Sequence, residues 1–423
     1  PRLGRVPPPR RRRPPRRGRP VTRRLLLLQG PSSRFFSRLG DALAARGAEV
    51  TRIHLCPGDA LFWTRRGGRA YRGAAGDWPA HVRDAMRAEG ITDLVYLGAH
   101  RPAHAEARAE AARLGVRRHH VELGYLRPDW LTVEPEGGGA DSPFPRDWPA
   151  IEALARGPLP EETRLWPASF LAYAAMDVAW NLSNLALSWA THPGYRRHQT
   201  WHPLAEYAGF LLTQARARRE AAHAAAVLAA WRGTRPFLLP LQLSTDYQIR
   251  VHGPDPDLRD TVRRTVERFA AEAPPEARLL LKIHPVDNGL IPWRRLAKRA
   301  AGAAADRVEA IRGGDLAAML ADCAGVVTVN STVGLAALRA GAPTRTLGAA
   351  VYDRPGLTDP APLARFWRAP TPPDPARVAT FLRALAWSTQ VRGAFDGPGV
   401  RPGADNVADR LLAPPRLPAP PAT

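Results

Sequence analysis

The chain has 423 residues and a hydrophobic share of 45%, enough for two or three domains with full cores. Its formal charge is +22, but residues 1–24 carry 11 arginines and no acid, half of that excess. This placement, with no recognised nucleic-acid motif, excludes nucleic acid as the expected partner. What remains favours anionic ligands such as nucleotides and acidic lipid headgroups. The arginine and alanine bias fits a GC-rich genome.

Residues 1–20 are Pro/Arg low complexity and read as a disordered basic tail or a polybasic membrane tether. No apolar h-region follows them, and no run approaches the ~18 apolar residues of a membrane span. Residues 21–158 then alternate strand-like and helix-like patterns. Apolar runs at Leu25–Gln29, Val50–Leu55, Asp93–Gly98 and Val116–Glu122 predict strands. Phe35–Arg46, His81–Glu89 and Ala103–Leu114 between them predict helices. The order βαβα predicts a parallel sheet with helices on both faces.

Residues 159–232 change character. They are rich in Ala, Leu and Trp, lack β-branched runs, and predict helices. Over residues 233–372 the alternation restarts at Pro236–Gln242, with further strands at Leu279–Ile283, Val308–Ile311, Val326–Val329 and Arg345–Leu347. Residues 373–412 read as C-terminal helices, clearest at Ala376–Trp387, and residues 413–423 as a Pro-rich tail. The expected fold is α/β: two Rossmann-like lobes, an inserted helical region, and a central cleft between the carboxyl ends of the two sheets. Cys56 and Cys323 fit neither a metal spacing nor a disulfide framework, so a reducing cytoplasm is the expected setting.

Five stretches at strand ends can carry chemistry. Gln29 and Gly30 open a turn into a helix, a place for close approach to a sugar or an anion, although a plain βα turn reads the same. Glu122 ends a strand and is followed by Gly124 and Arg127; the acid can serve as base or nucleophile, and the arginine can hold an anion. Gln242, Asp246 and Gln248 follow the first strand of the second unit. Lys282 and His284-Pro285 set a cation and an imidazole at a sheet edge, suited to a phosphate leaving group. Asn330, Ser331, Thr332 and Gly334 begin a helix, where hydroxyls and unpaired N–H groups can cradle a phosphate.

Beyond these stretches, Gly58-Asp59-Ala60-Leu61-Phe62-Trp63, Arg101-Pro102 with His104, Tyr195-Arg196 with His198, and Tyr352-Asp353 with Pro355-Gly356-Leu357-Thr358 occur in order across residues 24–360. Together they resemble the capsule polysaccharide biosynthesis/export family of Gram-negative bacteria, in particular its single-module β-Kdo transferases of the KpsS and LipB type. The resemblance implies a GT-B-like fold and a retaining glycosyltransferase. It implies transfer of β-Kdo from CMP-Kdo to a phosphatidylglycerol-type lipid, starting the capsular linker. It implies Glu122 in a carboxylate motif, His284 in a His-Pro motif, and Ser331 and Thr332 in a CMP-phosphate motif. No cofactor or metal is expected.

One departure stands out: Leu123 occupies the place where the family usually has a second acid, which makes Asp246 a rival carboxylate. Leu123 also motivates a non-catalytic scaffold as an alternative, and the shared nucleotide lobe leaves another GT-B transferase or an epimerase open. A lipid acceptor without a membrane span implies a protein peripheral to the inner membrane, with other capsule proteins as possible partners. Trp166, Trp180, Trp189, Trp201 and Arg196-Arg197-His198 are the expected contact face.

Overall fold

The computed structural model describes residues 22–197 and 199–417, and the side chain of Gln248 is not among what it describes. The basic tail, His198 and the end of the Pro-rich tail therefore lie outside the described residues.

The first sheet has seven strands: β1 (Arg24–Leu27), β2 (Glu49–His54), β3 (Gly68–Ala70), β4 (Asp93–Tyr96), β5 (Arg117–Leu123), β6 (Trp130–Pro135) and, from far along the chain, β12 (Gln390–Arg392). Their spatial order is β12-β6-β5-β4-β1-β2-β3. β1 through β5 run parallel, while β6 pairs antiparallel with β5 and β12 antiparallel with β6. β1 shows why these runs are strands. Leu25 and Leu27 face one side, against the helices Phe35–Ala45 and Val400–Leu412. Leu26 and Leu28 face the other, against the helices Trp78–Ala88 and Pro102–Arg113. A strand buried on both faces needs the continuous apolar run seen in the sequence.

The second sheet has five parallel strands: β7 (Phe237–Pro240), β8 (Leu279–Ile283), β9 (Val308–Arg312), β10 (Gly325–Thr328) and β11 (Thr344–Thr346), in the order β11-β10-β7-β8-β9. Helices again cover both faces. Leu258, Val262, Val266 and Phe269 pack on one, and Ala224, Val227, Met319 and Ala337 on the other. Both sheets reverse strand order beside their first strand, β1/β4 in one and β7/β10 in the other. In open α/β sheets such a point, at the carboxyl ends, is where ligands bind.

The intervening helices touch both lobes. Trp180 of the helix Phe170–Thr191 packs against Gly58 of the first lobe, and Asn184 accepts the Gly58 N–H at 2.8 Å. The helix Ala217–Ala230 covers the second sheet. A further core joins Phe144 and Ile151 to Phe381, Leu382, Leu385 and Tyr352, where the helix Pro375–Thr389 returns toward the first sheet. Two Rossmann-like lobes facing one another, with the chain end crossing back, make a GT-B-like fold.

One buried charge anchors the first lobe. Asp93 at the start of β4 is fully buried and accepts from Arg23, Arg117, His119 and Thr92 at 2.6 to 3.1 Å. Burial alone would raise its pKa, but the hydrogen bonds from His119 and Arg23 prevail and hold it well below the usual carboxylate range. Asp93→Asn is expected to cost about 3 kcal/mol, the low end for breaking a buried ion pair because Arg117 reaches solvent. Because the folded pKa is depressed, this stabilisation is complete above about pH 4, the unfolded aspartate value, and is lost as pH falls. Urea unfolding of both proteins at pH 7 and at about pH 2.5, well below the unfolded value, checks this: the difference between them should shrink toward the acid side.

Candidate active site

β5 delivers the first group. Glu122 lies one residue from the strand end, and its carboxylate accepts the Leu123 N–H at 3.0 Å. The side chain keeps 36% of its surface open, yet burial among both lobes raises its pKa. The other charges acting on it are Arg101, Asp246 and Arg127. Arg127 in turn feels Glu122 and Asp246, and its charge acts on His284. Glu122 and Arg127 come from the first lobe, Asp246 and His284 from the second, so these four groups face one cleft. No hydrogen bond engages the Arg127 guanidinium among the described residues, which leaves its donors open to an anion.

His284 follows β8 in a braced turn. Its Nδ1 accepts the Val286 N–H at 3.3 Å, which leaves the ring hydrogen on Nε2. Burial lowers its pKa, so at neutral pH the ring is an uncharged donor. Arg312 holds the turn from behind, donating to the His284 carbonyl at 3.3 Å and to the Asp287 carboxylate at 2.8 Å. Asp287 also accepts from the Trp293 indole at 3.1 Å. These contacts fix the imidazole before any ligand arrives.

At the second switch point Gln242 joins the neighbouring strand ends. Its amide donates to Asn330 at 3.0 Å and toward Asp246 at 3.4 Å, and it accepts the Asn330 N–H at 3.4 Å. Ser331 accepts the Val333 N–H at 3.2 Å, and its carbonyl takes the Gly334 N–H at 2.9 Å. Two of the N–H groups expected to cradle a phosphate are thus spent within the turn, while the Ser331 hydroxyl hydrogen remains available. Thr332 caps the helix Val333–Arg339 by backbone position, without a side-chain cap. β7 separates β8 from β10, so the His284 and Ser331 turns are not immediate neighbours but stand about 10 Å apart, two strand spacings. That span suits a nucleotide laid across the sheet end.

Other candidates have work of their own. Lys282 is nearly buried and donates to the Gly313 carbonyl at 3.0 Å. Gly334 is required by a ring: an added Cβ would lie 2.2 Å from the Tyr352 hydroxyl, which itself donates to the Ser331 carbonyl at 2.6 Å. Gly30 likewise leaves room for the Phe36 ring, 2.7 Å from where a Cβ would sit. Gln29 is buried; its amide lies 3.4 Å from Asp59, and it accepts from Arg101 at 2.8 Å. A cavity of about 70 Å³ opens beside Gln29 and Arg101, bounded by Tyr195 and Arg196.

Sequence reasoning gives no site role to two participants, although Arg101 is among the residues that carry the family resemblance. Arg101 connects Gln29 to the field around Glu122, and it stands three residues after the positive-φ Gly98 at the β4 turn. Its strand-end position was the available signal. Arg312 ends β9, and nothing local marks it as the brace of a turn in β8.

The family model described as capsule polysaccharide biosynthesis protein matches residues 92–396. The chain belongs to the capsule polysaccharide biosynthesis family. Within that family it is 30% identical over 382 residues to the capsule polysaccharide export protein KpsS of Escherichia coli, covering 88% of this chain and 97% of that protein. It is also 30% identical over 384 residues to the capsule polysaccharide modification protein LipB of Neisseria meningitidis serogroup A, covering 88% and 91%. Among solved structures, the KpsC β-Kdo 2,7 transferase of Thermosulfurimonas dismutans aligns over 91% of this chain and 98% of its own, at 12% identity and a TM-score of 0.43. The capsule family match takes in β5, the helical region and the whole second sheet, and so every cleft residue named above except Gln29 and Gly30.

Proposed function

We propose that this capsule biosynthesis protein is a retaining glycosyltransferase that moves β-Kdo from CMP-Kdo to a phosphatidylglycerol-type lipid at the inner membrane surface. The observation that carries this reading is the meeting of Glu122 and Arg127 with Asp246 and His284 across the two lobes. As the anomeric bond breaks, its electron pair leaves with CMP and the sugar becomes cationic. The Nε2–H of His284 and the Ser331 hydroxyl can donate to the departing phosphate, and Arg127 can pair with it or with the sugar carboxylate. Glu122 stands opposite, where a carboxylate stabilises the cation, attacks it, or activates the acceptor hydroxyl.

The test is incubation with CMP-Kdo and phosphatidylglycerol vesicles, following CMP release and the mass of the lipid. Absence of both CMP and a Kdo-lipid, with nucleotide binding intact, would overturn the reading.

No helix among the described residues is long and apolar enough to cross a membrane. The helix Phe170–Thr191 nevertheless turns an apolar stripe outward, Leu171, Ala175, Ala179, Leu182, Ala186 and Trp189, at helical spacing and without a charge. Leu204, Leu211 and Leu212 add to the exposed apolar surface, and Arg196 and Arg197 are exposed just beyond the helix. The tryptophans divide: Trp180 is buried, Trp201 packs on the second core, Trp166 lies against Gly399, and Trp189 is 79% exposed. This stripe with its flanking arginines supports docking on an anionic surface. Leu182→Asp with Trp189→Asp should weaken flotation with anionic vesicles by at least about tenfold, with CMP binding unchanged. Unchanged flotation would remove this face from the reading.

A further inference from the structure

Besides the four cleft groups, three potential metal ligands converge across the lobe junction, with His120 between them and Glu122. His100 lies in the turn after β4, Asp141 ends the short 3-10 turn Gly139–Asp141, and His252 ends the helix Tyr247–His252 of the second lobe. The Nε2 atoms of the two histidines are 2.9 Å apart, and His100 Nε2 is 3.1 Å from Asp141 Oδ2. His252 Nε2 is 3.9 Å from Asp141 Oδ1, and one ligand atom from each residue lies within 4.8 Å of the others. The histidine side chains are 15% and 10% exposed and that of the aspartate 33%, so the point of convergence is sheltered but reachable.

Hydrogen bonding alone serves this arrangement poorly. Neutral imidazoles share one hydrogen between facing Nε2 atoms. If His100 gives its hydrogen to Asp141, His252 must present a bare lone pair to a hydrogen already used. If His252 donates to His100, Asp141 faces a lone pair. A cation at the centre uses all three lone pairs at once. Two nitrogens and a carboxylate oxygen are a ligand set for zinc-class ions, with a fourth tetrahedral position left for water. Ligand atoms on one tetrahedral zinc stand about 3.3 Å apart, given Zn–N bonds of ~2.0–2.1 Å. The two shorter contacts need a few tenths of an ångström of widening, and the 3.9 Å contact of His252 with Asp141 needs about half an ångström of narrowing. Arg108, whose charge acts on Asp141, and His120 are the other charged or titratable groups nearby; Arg108 is held by the Ala99 carbonyl at 3.2 Å.

We propose that His100, Asp141 and His252 bind one zinc-class divalent cation that ties the first lobe to the second. With two ligands in one lobe and one in the other, the ion sets how far the cleft opens and takes no part in bond breaking. The inference stands apart from the donor and acceptor proposed above, because its readout is metal binding. The separation of 152 residues between the histidines explains why no spacing in the sequence announces the site.

The experiment uses the untagged full chain, stripped with chelator and dialysed. Titration with Co²⁺ should give one equivalent with the intense visible band of tetrahedral cobalt, displaced by Zn²⁺. Zn²⁺ should raise the thermal midpoint of the wild-type chain and leave that of His252→Gln unmoved. His100→Gln, His252→Gln and Asp141→Asn should each weaken the metal by at least about 100-fold, beyond the loss typical of an outer-shell partner. His202→Gln, at an exposed helix cap, should bind as wild type. Circular dichroism establishes that each variant is folded, and Asp141→Asn keeps the shape of the side chain. No stoichiometric site in the wild-type chain, or a site that survives all three substitutions, would overturn the proposal.

Discussion

Glu122→Gln should bind CMP as the wild-type chain does and lose Kdo transfer by about 100- to 10,000-fold, the span associated with a positioned acid or base. The argument is spatial. CMP is expected on the second lobe, at Gln242, Asn330, Ser331 and His284, while Glu122 reaches in from the first. Its charge therefore serves the sugar and the acceptor. Glutamine keeps the side chain's size and can still accept the Leu123 N–H, so the fold has little reason to change. Asp246→Asn should weaken transfer less, because Asp246 shares the Gln242 amide within its own lobe. A dead Asp246→Asn with an active Glu122→Gln would reverse the two roles.

Acidity gives a second readout. Burial raises the Glu122 pKa, so the carboxylate is lost at a higher pH than an ordinary glutamate, near 4.5. The acid limb of kcat/KM should therefore lie above that value and be absent from the residual rate of Glu122→Gln. Leu123→Glu, which supplies the second acid that the resemblance implies, should leave activity unchanged or raise it, since Leu123 is 43% exposed and a charge there stays hydrated.

His284→Ala should lower turnover by about 100-fold or more, the cost of one preorganised donor, and Ser331→Ala should fall in the same range. The turn at His284 is braced by Arg312, Asp287 and Trp293, so removing the ring deletes a donor without freeing the backbone. Burial keeps the ring neutral, and its departure therefore removes a hydrogen bond rather than a full charge. CMP release under saturating donor measures the effect; near-normal release in both variants would move the phosphate site elsewhere.

Most of this architecture is legible in the sequence because its strands are buried on both faces. Leu25–Leu28 and, apart from Lys282, Leu279–Ile283 are the continuous apolar runs that a covered parallel strand needs. β3, β6 and β12 have no counterpart in that reading. Gly68–Ala70 and Gln390–Arg392 are three residues long, and Trp130–Pro135 mixes polar and apolar positions; their partners make them strands. The site divides the same way. Strand-end logic finds Glu122, Gln242, His284 and Asn330, since a sheet delivers those positions to one edge. It cannot see Lys282 taken by the Gly313 carbonyl, or two glycines whose missing side chains make room for Phe36 and Tyr352. The histidine pair at the lobe junction exists only once both lobes are in place.

The crossing of the chain end has a consequence for synthesis. All five strands of the second sheet lie between residues 237 and 346, whereas the first sheet is complete only when Gln390–Arg392 pairs with β6. The same late segment supplies Val407 and Leu411, which seal the apolar side of Leu25, Leu27 and Phe35. A nascent chain therefore emerges with the lobe that is translated first still unsealed, while the lobe translated second already has every strand it needs. A stop between residues 368 and 390, beyond Leu363, Phe366 and Trp367 of the second core, would leave a finished second lobe attached to an open, aggregation-prone first one.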